Sequence, residues 1–165
     1  MSKISENAAS PNATASKFGY PASLIADYRH WLVLLRPAQV TLGSLVVVAK
    51  DQANSFSHLP LEAFSELATL TADLEQALQQ FIQYDRINWL MLMMVDPDVH
   101  FHVIPRYVET RSFGANQFAD KSWPGPPDLS QAIKLQGPEA EAIRKAIKAC
   151  WPAQELEQGT DNGHC

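Results

Sequence analysis

Val99-His100-Phe101-His102-Val103-Ile104-Pro105-Arg106 is the stretch on which the reading of this 165-residue chain turns. Its residues are apolar, aromatic or imidazole, and the spacing predicts a strand over Val99 to Ile104. Side chains alternate across a strand, so His100 and His102 fall on one face, about 6–7 Å apart along the chain. Asp98 joins that face if the strand reaches back to it. Upstream, Ile87 to Val95 (INWLMLMMV) is apolar throughout, and Asp96-Pro97-Asp98 ends it with residues that favour a tight reversal. The two segments read as a hairpin of two core strands.

Farther out, Trp31 to Leu35 (WLVLL) and the β-branched Leu45 to Ala49 (LVVVA) read as two more strands, separated by Arg36-Pro37 and Gly43. Between them and the hairpin, Leu61 to Ile82 carries Leu61, Phe64, Leu67, Ala68, Thr71, Leu74, Leu78 and Phe81 at helical spacing among charged residues, with Pro60 at the first turn. After Arg106 the chain turns proline-rich: Trp123-Pro124-Gly125-Pro126-Pro127 predicts an extended arm anchored by Trp123. Pro138 to Trp151 predicts a last amphipathic helix, stopped by Pro152. The order is strand, strand, long helix, strand, strand, arm, helix. Short connections make the strand pairing antiparallel, so the class is α+β: an antiparallel sheet with one long helix and a C-terminal helix. One domain is expected over 18–152, between a flexible N-terminus over 1–17 and a flexible tail over 153–165.

Forty-six per cent hydrophobic residues suffice for one core. A net charge of −5 and a pI near 5.5 speak against a nucleic-acid polymer as partner, but leave room for a small anion in a locally positive pocket. Cys150 and Cys165 make no disulfide framework. No membrane-length apolar run and no leader-like segment are visible, and the cytoplasm is the default compartment.

Two imidazoles on one face can divide labour at a phosphate: one, held neutral, attacks phosphorus, while the other binds a phosphate oxygen. Against this stand two plainer readings. The pair can be ordinary strand residues, or Asp98, His100 and His102 can ligate zinc, although no further ligand is evident. Arg106 and Arg36 could each reach a phosphate or serve as surface ion partners. Asn88 could bind a ligand or cap a strand end. Met91, Met93 and Met94 read as core filler. Trp31, Trp89, Trp123 and Trp151 read as packing anchors, one of which could line a base pocket.

His100-Phe101-His102-Val103-Ile104-Pro105-Arg106 resembles the end of the histidine-triad (HIT) motif, His-x-His-x-His followed by two apolar residues and often Pro-Arg. Leu42 to Lys50, a polar loop and a long helix resemble what precedes the motif in that family, so the likeness runs over about residues 30 to 108. The resemblance implies an α+β fold, a homodimer, a nucleotide ligand, and hydrolysis or transfer of nucleoside monophosphates from dinucleoside polyphosphates or related conjugates, without cofactor or resident metal. It makes His100 the nucleophile and His102 the group beside the phosphate. Asp98, Arg106 and Asn88 are the expected substrate-binding residues. The chain departs from the motif in three ways. Asp98 replaces the first histidine, where a carboxylate near His100 would favour the imidazolium, which cannot attack. Ser44 stands where a histidine is common. Asp96-Pro97-Asp98 leaves no room for the Gln- and Gly-containing phosphate loop. The alternative is therefore a nucleotide-binding protein of the same fold with little or no turnover.

Overall fold

The computed structural model describes residues 12–153. Five strands form one antiparallel sheet in the order β1 (Leu24–Asp27), β2 (Trp31–Leu35), β4 (Leu45–Ala49), β6 (His100–Arg106), β5 (Arg86–Leu90). The short β3 (Ala38–Gln39) pairs with β9 (Ile133–Lys134), and β7 (Arg111–Phe113) with β8 (Asn116–Phe118). α1 (Ala13–Lys17), α2 (Leu61–Ile82) and α3 (Gly137–Cys150) complete the α+β architecture expected from the sequence. β2, β4 and α2 have the expected bounds.

The two faces of the sheet have different covers. Trp31, Val33, Leu35, Leu45, Val47, Ala49 and Val103 face the main core with α2 and α3. The alternate residues Leu32, Leu34, Val46 and Val48 face a smaller cluster closed by Ala15 and Phe18. The register sets Leu32, Val48 and His100 in one row across the sheet, and Leu34, Val46 and His102 in the next. Both histidines therefore lie on the face away from the long helix.

Several expectations need correction. Residues 12–17 belong to the folded body: Asn12 caps α1 by accepting a hydrogen bond from Ala15 N, and Thr14 and Ala15 are buried against the sheet. The remaining ends, 1–11 and 154–165, lie outside the described residues. β5 stops at Leu90, paired with His102, and does not run on to Val95. Residues 91–99 leave the sheet edge because α1 holds them, through Lys17 Nζ to Asp96 (2.7 Å) and Thr14 Oγ1 to Asp98 (2.8 Å). In that loop Met93 takes a φ of 51°, and Met94, expected as core filler, is 87% exposed. β6 begins at His100, and Val99 joins it only by backbone bonds to Ala49 and Ala53. The stripe of α2 is turned from the expected one. Ala63, Leu70, Leu74, Ala77, Leu78 and Ile82 are buried, whereas Leu61 is 76% exposed, because it starts the helix beyond the edge of the core.

The turn before β4 is built around polar side chains. Gln39 Oε1 accepts from Gly43 N and Ser44 N, while its Nε2 donates to the carbonyls of Arg36 and Ser44. Gly43 has a φ of 91°, and a Cβ there would come within 3.2–3.3 Å of Ile82, Leu78 and Pro105. Both facts restrict the position to glycine. Ser44 donates to the Thr41 carbonyl and is fully buried, so its place in the motif is occupied by a turn-forming hydroxyl.

Candidate active site

β6 carries the two histidines on adjacent rows of the sheet, their ring centroids 5.1 Å apart and the rings nearly perpendicular at 82°. His100 Nδ1 lies 2.7 Å from the Asp98 carbonyl. A carbonyl only accepts, so in the neutral ring Nδ1 carries the proton and Nε2 carries the lone pair. Nε2 has no hydrogen-bond partner among the described residues. Burial, then the positive charge of Arg36 and the neighbouring His100, push the His102 imidazole down to about 4, with Asp96 opposing. His102 is thus neutral at pH 7, and its Nδ1 is buried without a partner.

α1 and the turn after it close over this pair. Phe18 sets its ring 6.1 Å from that of His100 and 5.6 Å from that of His102. His100 is 2% exposed and His102 6%. Asn12 Nδ2 donates to the Ala49 carbonyl, and the Asp98 carboxylate accepts from both the backbone N and the hydroxyl of Thr14.

The three residues expected to bind substrate are engaged elsewhere. The Asp98 carboxylate is turned to α1 and not to His100, so only its carbonyl serves the histidine. Arg106 is 4% exposed. Its Nε and Nη2 grip Asp120 at 2.6 and 3.1 Å, Nη1 donates to Asn88 Oδ1 and Nη2 also to the Gly125 carbonyl. Arg106 and Asn88 thereby bind the Pro-rich arm to the sheet. Asp120 and the Gly125 carbonyl hold the arm to Arg106 on either side of Trp123, the anchor to which the sequence pointed and which is half-buried. The zinc alternative loses its carboxylate for the same reason. Among the described residues no group of three or more His, Cys, Asp or Glu is placed to share a metal ion.

Two clefts of about 270 Å³ each lie away from the histidines. One, beside Leu42, Phe81 and Phe113, contains Arg111, whose guanidinium is occupied by the carbonyls of Ile82, Gln83 and Glu109. The other lies between Val40, Phe118 and Ile133. Neither is lined by a histidine, cysteine or carboxylate, and the histidine face remains the better chemical site.

Solved structures share this fold. A histidine triad protein from Bradyrhizobium japonicum superposes with a TM-score of 0.66 at 19% identity, over 86% of this chain and 97% of that one. The chain has the histidine-triad fold. A second such protein from Sinorhizobium meliloti 1021 gives 0.66 at 18% identity, over 84% and 93% of the two chains. A third, from Marinobacter aquaeolei VT8, gives 0.63 at 19%, over 78% and 87%. At these identities the likeness is one of fold. No protein-family model matches the sequence, and no curated protein matches it.

Within the histidine-triad fold, the motif strand was legible from its two histidines. Phe18 and Thr14 were missed: Lys17-Phe18-Gly19 has no periodicity, and their role depends on contacts across more than 80 residues of chain.

Proposed function

We propose that the protein is a nucleotide-binding phosphohydrolase or nucleotidyl transferase that works through a histidine nucleophile. Its substrates are dinucleoside polyphosphates or nucleoside-monophosphate conjugates. The observation that carries this reading is the hydrogen bond from His100 Nδ1 to the Asp98 carbonyl, which leaves Nε2 as the free lone pair beside a neutral His102. The first step forms a bond from Nε2 to the α-phosphorus and breaks the bond to the leaving group, which departs with the electron pair and takes up a proton. Water then attacks the same phosphorus, the P–N bond breaks and its electrons return to Nε2. Nucleoside monophosphate is released, or a conjugate of it where another acceptor replaces water. His102, as a neutral donor, binds a non-bridging oxygen where charge builds up. Attack requires Nε2 within about 3–3.5 Å of phosphorus. With His100 2% exposed, Phe18 and α1 must swing aside first.

The alternative is a nucleotide-binding protein without turnover, and the near-complete cover of both histidines is what favours it. Incubation with a diadenosine polyphosphate and with an adenosine phosphoramidate, nucleotide products followed in time, separates the two. The first reading expects product from the native protein and a loss of at least about a thousandfold in His100→Ala. Binding without product supports the second. A homodimer belongs to the proposed reading and is checked by sedimentation of the full chain.

A further inference from the structure

With Arg106 paired to Asp120 and Lys17 to Asp96, Arg36 is a cation on the histidine face without a carboxylate partner among the described residues. It follows β2 directly. Alternation from Leu32 and Leu34 directs it to the face that carries His100 and His102, and its backbone N donates to the Ser44 carbonyl at 3.0 Å. That register sets it one two-residue step along the sheet from the row of Leu34, Val46 and His102. Strand spacing and rise then separate the Cα atoms of Arg36 and His102 by roughly 12 Å. Its charge reaches the imidazole: after burial it is the largest influence depressing His102.

Arg36 is incompletely partnered. It is partly buried, and Nη1 donates to the Ala38 carbonyl. Nε is buried with no partner, and among the described residues no carboxylate pairs with the guanidinium. Removing a guanidinium from water with a donor unsatisfied is costly unless an anion completes it. The free edge of Arg36 is Nε with Nη2, the same pair of atoms with which Arg106 chelates both oxygens of Asp120. That parallel fork matches two oxygens of a phosphate as well as those of a carboxylate.

The geometry points to Arg36 as the anchor for a second anionic group of the substrate, a phosphate that is not attacked, held on the same sheet face while His100 addresses the reacting phosphorus. The assignment deepens the nucleotide reading above and rests on it. It gives the site a preference for ligands with at least two phosphates.

Calorimetric titration of the full chain with adenosine, AMP and ADP tests it. ADP is expected to bind about tenfold or more tighter than AMP. Arg36→Gln removes that difference, and Arg36→Lys, which keeps the charge without the fork, restores part of it. Equal affinities for AMP and ADP in the native protein, or an ADP preference that survives in Arg36→Gln, would overturn the assignment. If Arg36→Gln does not fold, the Nε–H resonance of Arg36 in the native protein decides. A shift on adding ADP and none on adding adenosine supports the assignment, and a resonance indifferent to ADP overturns it. Product formation by the native protein with no ADP preference would remove Arg36 and keep His100. An Arg36-dependent ADP preference without product would keep Arg36 and remove the histidine chemistry.

Discussion

At the residue scale, Asp98 shows why a motif position and a side-chain role differ. Read along the strand, its carboxylate should stand beside His100. In the fold the backbone carbonyl takes that place and the carboxylate caps α1 through Thr14. Arg106 shows the same divergence. An arginine after the motif suggests phosphate, yet its bonds to Asp120, Asn88 and Gly125 are structural. Side-chain exposures of 5% and 2% for Arg106 and Asp120 make this a buried pair. Arg106→Ala should therefore lower unfolding stability by about 3–5 kcal/mol in urea denaturation, because Asp120 is left buried and uncompensated. Unchanged stability with weakened nucleotide binding would return Arg106 to the substrate.

His102 carries a pH dependence whose sign is fixed first by its burial. Its folded value of about 4 lies below the ordinary 6.5, through burial, Arg36, His100 and Lys17, against Asp96. Above about pH 6.5 both folded and unfolded rings are neutral and His102 adds no pH dependence. As pH falls from 6.5 toward 4 the unfolded ring takes a proton first, so stability drops, by up to about 3 kcal/mol over that window. Thermal melts of the native protein and of His102→Gln between pH 7 and 4 check this. The variant should lose less stability across the window, and parallel curves would contradict it.

At the scale of elements, what repeats along the chain was legible and what closes across it was not. β2, β4 and α2 follow from β-branched runs and helical spacing, and their bounds agree with the sequence reading. Met91 to Val95 look as strand-like as the residues before them, but leave the sheet because Lys17 and Thr14 hold Asp96 and Asp98. α1, of five residues, is too short for any periodicity to announce it and is set by tertiary contacts. Those contacts make it the cover of the histidines. Phe18→Ala should speed modification of His100 by diethyl pyrocarbonate several-fold, and Asp98→Ala should do so by freeing Thr14. A rate unchanged in both variants would mean that α1 does not control access.

At the scale of the whole molecule, two layers meet through one sheet. The face toward α2 and α3 supplies the large core, and the opposite face carries the two histidines, with Leu32, Leu34, Val46 and Val48 as the floor beneath α1. This division explains why the fold could be inferred from apolar patterning while the surroundings of the histidines could not. The patterned residues build the first layer, whereas Arg36, Phe18 and the Asp98 carbonyl come to the neighbourhood of the histidines from three separate segments. Acidity of the whole chain, −5, coexists with a histidine face whose neighbouring cations are Arg36 and Lys17. The proposed chemistry stands or falls on a bond from Nε2 of His100 to phosphorus. Rapid acid-free quenching of the native protein with a diadenosine polyphosphate, followed by peptide mass spectrometry, tests it directly. An added adenylyl mass is expected on the peptide containing His100, absent in His100→Ala. Product without any adduct on that peptide, or an adduct that persists in His100→Ala, would contradict it.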